Sequence, residues 1–248
     1  MANNKVPTEI YIKVTKDGPY LVFGQPEIKE EIIEPNEQGN SWEYVDGKFY
    51  PLKENPTALC RCGKSKNKPY CDGSHTQGFD GTETAPHTSI LENVEKYEGP
   101  NYTLLDSELY CAFARFCDAF GQVWNLVQNG DALSDKLALH EAHHCPAGRL
   151  MMVDNQSGEM LEPPLTQSIG ILQDPAIQAS GPLYVKGKIK VVDANGKAYE
   201  VRNRQTLCRC GKSSNKPFCD GTHASIHFDD GLQQPKPRQR RAPKKNRT

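Results

Sequence analysis

The chain alternates between β-type and helix-type patterning. Ile10, Ile12 and Val14 alternate with polar neighbours, and Tyr20-Leu21-Val22-Phe23 follows an Asp17-Gly18 turn. Such alternation turns one face of a strand inward, so residues 8–50 read as strands. Trp42 to Pro51 reads as a hairpin about Asp46-Gly47. Residues 76–100 carry no clear period. From Asp106 to Val127 the apolar Leu109, Phe113, Phe116, Phe120 and Trp124 recur at three- and four-residue spacing, which predicts helix. After Asn129-Gly130 a second helix is predicted from about Ser134, a candidate N-cap, to His144, because Pro146 blocks continuation. Met151 to Leu161 predicts a short hairpin turning at Asn155-Gln156-Ser157-Gly158. From Gly181 the β pattern returns, with Tyr184 to Asp193 and Ala198 to Arg204 flanking an Asn195-Gly196 turn.

One stretch is written twice. Cys60-Arg61-Cys62-Gly63-Lys64-Ser65-Lys66-Asn67-Lys68-Pro69-Tyr70-Cys71-Asp72-Gly73-Ser74-His75 recurs from Cys208 to His223, changed only at Ser214, Phe218 and Thr222. The repeat extends upstream: Gly181-Pro182-Leu183-Tyr184-Val185 echoes Gly18-Pro19-Tyr20-Leu21-Val22, and Lys188-Ile189-Lys190 can be set against Glu27-Ile28-Lys29. A β segment plus a Cys/His stretch is therefore used twice, with an insert between the copies.

Three thiolates and one imidazole make a complete four-ligand set for a soft or borderline metal: zinc, copper(I) or iron–sulfur. Structural zinc sites usually space a cysteine pair by two to four residues; here a single residue separates Cys60 from Cys62. An extended Cys-x-Cys suits two thiolates on one iron of a cluster. Cys71 and His75, four apart, fit opposing ends of one helical turn. Asp72 is a candidate N-cap for a turn starting at Gly73, and Gly63 permits a left-handed bend. Arg61, Lys64, Lys66 and Lys68 read either as an offset to thiolate charge or as a solvated basic face.

At these residues the chain resembles the CDGSH, or NEET, iron–sulfur family, whose pattern is C-x-C-x2-(S/T)-x3-P-x-C-D-G-(S/A/T)-H. Both stretches match it in full, including Ser65 and Ser213, Pro69 and Pro217. The resemblance covers about residues 18–80 and 181–228. It implies one 2Fe–2S cluster per motif. Cys60 and Cys62 would hold one iron, and Cys71 with His75 the other; in the second copy these roles fall to Cys208 and Cys210, and to Cys219 with His223. A pair of zinc knuckles is the alternative. A histidine ligand raises the potential of its iron, and its protonation weakens the metal bond, so such sites suit both electron transfer and cluster release. Family members often form homodimers through strand pairing. Two copies in one chain could build that pair internally, as an intrachain pseudo-dimer, or the whole chain could form a homodimer.

Cys111, Cys117 and Cys145 remain. The C-x5-C spacing and the Cys145-Pro146 dipeptide resemble a degenerate monocluster ferredoxin, with Ala114 where a further cysteine would stand. A 3Fe–4S cluster needs only three thiolates; a 4Fe–4S cluster would need a fourth ligand, for which His143 and His144 are close in sequence. The plain alternative is buried cysteine in a helical domain. On a regular helix, residues six apart lie about 240° around the axis, so Cys111 and Cys117 converge only on a loop. His140-Glu141-Ala142-His143-His144 also satisfies the H-E-x-x-H metalloprotease signature, but its helix would stop at once at Cys145-Pro146. It reads better as polar helix surface, or as support for the Cys145 site.

Composition narrows the setting. At 36% hydrophobic and 25% charged residues, with no apolar run long enough to cross a bilayer, a soluble protein is expected and no membrane partner. Met1 to Pro7 lacks the apolar core of a signal peptide, so the nine cysteines are expected as reduced thiols in a cytoplasmic protein. The net charge is −1, yet residues 235–248 carry Lys236, Arg238, Arg240, Arg241, Lys244, Lys245, Arg247 and no acid. That tail is expected to be disordered and solubilising; nucleic acid is not the expected partner.

These observations predict an α+β fold. Residues 1–80 form a β segment with the first cluster module and 81–170 a helix-rich, ferredoxin-like insert. Residues 171–230 form the second module and 231–248 the basic tail. The expected function is electron transfer between redox partner proteins through two 2Fe–2S clusters and a third, 3Fe–4S or 4Fe–4S. Cluster storage and transfer to apo iron–sulfur acceptors is the alternative, and a zinc-stabilised interaction module the second alternative. No substrate pocket is evident that would mark an enzyme.

Overall fold

The computed structural model describes residues 9–232. The readings made for Met1–Pro7 and for the basic tail at 235–248 lie outside the described residues. Strands β1 (Tyr11–Val14), β2 (Tyr20–Phe23), β3 (Glu27–Pro35), β4 (Ser41–Phe49) and β5 (Thr57–Leu59) lead into the first Cys/His stretch. The insert holds β6 (Glu95–Glu98), β7 (Tyr102–Asp106), α1 (Val123–Asn129), α2 (Ala132–His144), β8 (Leu150–Asp154) and β9 (Met160–Leu161). Strands β10 (Ser168–Asp174), β11 (Ala179–Lys186), β12 (Lys190–Val192) and β13 (Arg204–Leu207) precede the second stretch, which ends in the one-turn helix α3 (Thr222–Ser225).

Two sheets carry the repeat, and each takes a strand from the other copy. One runs β12-β1-β2-β5, the other β13-β11-β10-β3-β4. β2 pairs with β5 as β11 pairs with β13: Tyr20 faces Leu59 where Leu183 faces Leu207. The equivalent pairs fall at positions matched in the Gly18–Val22 and Gly181–Val185 echo. The exchange is reciprocal: β12 adds in parallel to β1, with Ile12 opposite Val191, and β3 adds in parallel to β10, with Ile28 opposite Ile169. Ile28 and Ile189, matched in the sequence echo, are both buried. Alternating inward positions Ile12, Val14, Tyr20, Val22 and Leu59 join Ile169, Ile171, Val185 and Leu207 in one contiguous core. Full burial of such side chains contributes roughly 1.5–3 kcal/mol each.

The architecture is mixed and mostly sheet with few helices, consistent with α+β. The insert is not helix-rich. It is built on the antiparallel sheet β6-β7-β8-β9, with only α1 and α2 beside it. The predicted helix over Asp106–Val127 forms only at its end. Phe113, Arg115 and Gln122 take positive φ, which breaks a right-handed helix, and short 3-10 turns at Glu108–Tyr110 and Phe116–Asp118 replace it. Leu109, Phe113 and Phe120 point to solvent, so their spacing does not mark a core face.

Two further differences are local. Asp46-Gly47 is not a turn: β4 is one strand paired along β3, and a register shift between Lys29 and Glu31 makes this a bulge, with Gly47 against Glu30. The second helix starts two residues before Ser134, because Asp131 accepts hydrogen bonds from the Leu133 and Ser134 amides and is the N-cap. The Met151–Leu161 hairpin forms as predicted. The Asn195-Gly196 turn is present, but its flanks do not form a hairpin: Gly187 and Lys188, both at positive φ, break the first strand, and only Val192 and Ala198 pair across the turn. Among the described residues no helix is long and apolar enough to cross a membrane.

Candidate metal centres

Each Cys/His stretch is a loop hung from a strand end. Cys60 N donates to Pro69 O and Cys71 N to Ala58 O, at 2.8 and 2.9 Å. The second copy repeats this with Cys208 N to Pro217 O and Cys219 N to Thr206 O, at the same two distances. Ser65 and Ser213 lock the loops from within, donating to Tyr70 O and Phe218 O at 2.7 Å. Asp72 accepts from the Lys66 and Ser74 amides, as Asp220 does from Ser214 and Thr222. These amide bonds hold the Asp72 carboxyl below its usual range. The turns start one residue later than expected, at Ser74 and Thr222, so Gly73 and Gly221 are the N-caps and each aspartate stands one residue before the cap.

The ligand atoms come in pairs. Cys60 Sγ lies 3.9 Å from Cys62 Sγ, and Cys71 Sγ lies 3.3 Å from His75 Nδ1. In the second copy Cys208 and Cys210 are 3.7 Å apart, and Cys219 and His223 Nδ1 3.3 Å. Two ligands on one tetrahedral metal, with sulfur at about 2.3 Å and nitrogen at about 2.0 Å, sit roughly 3.5–3.8 Å apart. Each pair thus matches one metal. Within a single-metal site every ligand pair would be that close. Neither quartet supplies even three ligand atoms within 4.8 Å of one another; among the described residues only Glu43, His140 and His144 do.

Backbone amides point at the sulfurs: Lys64 N to Cys62, Gly73 N to Cys71 and Gly221 N to Cys219, each at 3.4 Å. Such donors favour thiolate. Burial works the other way and pushes the Cys62, Cys71 and Cys219 thiols up. In the Cys208–Cys210 pair the hydrogen bond between the two sulfurs holds Cys208 down to about 6 and pushes Cys210 up. Burial lowers His223 to about 4, leaving a neutral imidazole able to ligate. A buried thiol set of this kind ionises when a cation takes it up.

The loops lie back to back. A Cβ on Gly63 would stand 2.6 Å from Cys210 O, and one on Gly211 2.6 Å from Cys62 O. Both glycines have positive φ, so the bend expected at Gly63 is present and repeated. The Tyr20 hydroxyl, from the first copy, reaches Cys208 O at 2.7 Å and Pro217 O at 3.0 Å. Arg61 is no solvated basic residue: it is buried and donates to Thr15 O and Gly81 O.

Residues 17–76 and 180–224 match the family described as iron-binding zinc finger CDGSH type. The double match supports the CDGSH (NEET) family reading and implies iron–sulfur binding. No curated protein and no solved structure matches.

The insert's cysteines adjoin the second CDGSH site. Cys111 follows the Glu108–Tyr110 turn, Cys117 sits in the Phe116–Asp118 turn, and Cys145 caps α2. The loop between the first two curls back through Phe113 and Arg115, both at positive φ, and all three cysteines line one cavity with Ala114 and Pro146. Burial pushes the Cys117 thiol up to about 12. Neither His143 nor His144 lines that cavity; His143 Nε2 lies 3.2 Å from Leu161 O, and His144 Nε2 3.3 Å from Glu43. A wider cleft of about 730 Å³ reaches Cys111 and Cys117 from outside.

Two buried arginines hold this loop system, and sequence reading did not find them. Arg149 forms a two-bond pair with Asp106, which also accepts from Trp124 Nε1. Arg204, at the start of β13, donates to the carbonyls of Ala142, His143 and Cys145 and pairs with Glu162. Burial opposes the Arg204 charge, yet Glu162 holds it above the ordinary arginine value. The arginine thereby satisfies the helix-end carbonyls that present Cys145. Of the metalloprotease signature, His140 and His144 do come within ligand distance of each other and of Glu43, but Glu141, the would-be base, is turned away from them: it is buried and accepts from Phe120 N at 2.9 Å. His140 stacks between Trp42 and His144, the aromatic packing of α2 on β4.

Proposed function

We propose that this protein carries electrons between redox partner proteins of the cytoplasm, through one 2Fe–2S cluster at each CDGSH site and a third cluster at Cys111, Cys117 and Cys145. The observation that carries the reading is the pairing of ligand atoms: two close pairs per quartet suit two irons and do not suit one zinc. Cys60, Cys62, Cys71 and His75 hold the first cluster; Cys208, Cys210, Cys219 and His223 hold the second. The three-cysteine set without a nearby histidine favours 3Fe–4S over 4Fe–4S for the third.

Bound clusters supply one-electron redox chemistry. The chain's residues orient and insulate the sites. The reciprocal contact of Gly63 and Gly211 sets the two CDGSH sites back to back, which supports a pseudo-dimer within one chain. Gly221 lies against Cys111 and Phe113, so the second and third sites are also in contact. The cleft at Cys111 and Cys117 offers a partner an approach to the third. A second reading, cluster donation to apo iron–sulfur acceptors, is favoured by the partial exposure of Cys71 and His75.

Iron and inorganic sulfide in anaerobically purified protein test both. Three filled sites give about seven or eight irons per chain. About four irons leave only the CDGSH pair, and zinc without sulfide overturns the cluster reading.

A further inference from the structure

The two CDGSH stretches are nearly the same in sequence but not in surroundings. Around Gly73 a Cβ would meet nothing within 4 Å. At the matching Gly221 it would stand 3.2 Å from both Cys111 O and Phe113 Cβ. Cys71 and His75 are partly exposed, whereas Cys219 and His223 are 2% and 4% exposed. The second stretch is also tied down from outside. Asn215 Nδ2 donates to Leu109 O at 3.1 Å, while the Thr84 and Ala85 amides donate to Lys216 O at 2.8 and 2.9 Å. Thr84 Oγ1 donates to Ser214 O at 2.6 Å. The bonds within each loop are the same in both copies: Lys66 N to Asp72, Asn67 N to Ser65 and Lys68 Nζ to Ser65 O are matched by Ser214 N to Asp220, Asn215 N to Ser213 and Lys216 Nζ to Ser213 O. The second stretch adds the bonds to the insert.

We propose that the insert makes the two sites unequal. The loop Leu109–Phe113 covers the second site, which keeps its cluster and passes only electrons. The first site is the open one, from which a 2Fe–2S cluster passes to an apo-protein presenting four cysteines. This inference rests on the reading that both CDGSH sites hold clusters. The same chain can then serve as carrier and donor through different sites, because the cover reaches one copy only.

In the transfer, the bonds from iron to Cys60, Cys62, Cys71 and His75 Nδ1 break and four bonds to the acceptor's thiolates form. Four acceptor thiols release protons. Cys60, Cys62 and Cys71 take up three, and the fourth goes to solvent. Iron and sulfide keep their oxidation states, so no oxidant or reductant is required. At the second site the same exchange needs the Leu109–Phe113 loop to open first. Such local openings divide the rate of any reaction that waits on them.

The test uses the full, cluster-loaded chain and an excess of an apo four-cysteine ferredoxin, with iron measured in both proteins over time. The expected result is two phases: one cluster leaves first and the second at least about tenfold more slowly. His75→Cys should remove the fast phase, whereas His223→Cys should leave it intact. Phe113→Gly removes the covering side chain at a position whose φ of +52° glycine accepts. It should speed the slow phase several-fold without changing the fast one. Equal rates from both sites, or a fast phase lost with His223→Cys, overturn the proposal. Hydrogen exchange of the Gly73 and Gly221 amides reads the cover without reference to iron, with Gly221 expected to be the more protected. If no sulfide is found, the cluster reading fails while that exchange comparison still stands. If two clusters are present and leave together, only the inequality fails.

Discussion

At the residue scale, three glycines separate conformational need from close packing. Gly63 and Gly211 combine a positive φ with a neighbouring carbonyl that leaves no room for a Cβ; Gly73 has the positive φ and open space. A left-handed non-glycine residue costs about 1–2 kcal/mol. Gly73→Ala should therefore lose about that much in denaturant unfolding. Gly63→Ala adds a backbone collision and should lose more, because the loops must part. Equal losses would mean that the loops do not bear on one another. Gly63 was read from the sequence as a bend and Gly73 as the start of a turn. The carbonyl across the gap belongs to a residue far along the chain, and local patterning carries no record of it. For the ligands, the grouping into pairs was expected from the family resemblance, and the distances within each pair are what the structure adds.

At the scale of elements, α2 is the piece whose placement decides the insert. Its end presents Cys145, and Arg204 of β13 accepts the task of satisfying the last carbonyls there, donating to Cys145 O at 3.0 Å. Arg204→Met leaves Glu162 without its charged partner and takes one donor from each of those carbonyls. Breaking a buried pair of this kind costs about 3–5 kcal/mol. Arg204→Lys should restore little, since a single ammonium cannot span the fork. The expected outcome is loss of the third site's iron ahead of the iron of the CDGSH sites, checked by iron and sulfide counts on each variant. Loss of all iron together would mean that Arg204 supports β13 and not the Cys145 site. Element prediction itself succeeded at Asn155–Gly158, whereas at Asn195-Gly196 the turn formed without its hairpin. It failed over Asp106–Val127, where helical spacing of apolar residues met a backbone pulled into positive φ at Phe113 and Arg115. Three exposed apolar side chains there imitate a helical stripe. It failed again at Asp46-Gly47, where a turn dipeptide serves as a bulge because Glu30 lies beside it.

At the scale of the molecule, the two repeats are not separable units. β3 adds to β10 and β12 adds to β1, so each copy completes the other's sheet. Lys186 and Glu31 pair across this boundary. A fragment of residues 1–80 would present β1 and β3 with unpaired edges, which invites association. It should not unfold cooperatively as a monomer, as followed by circular dichroism together with sedimentation. A stable, monomeric and cooperative fragment would show that the exchanged strands contribute little. The insert packs on both repeats but lies over the metal loop of only the second, so the duplicated sequence becomes an asymmetric molecule.

From sequence alone followed the duplicated Cys/His stretch, its upstream echo, and the end of α2 at Cys145-Pro146. Each is set by contacts within a few residues or by donor identity. Only the tertiary structure decided how strands exchange between the repeats, which carbonyls Arg204 satisfies, that the insert is a sheet, and which CDGSH loop is covered. Those depend on residues far apart in the chain meeting in space, where the choice is made by packing and by the need of buried polar groups for partners.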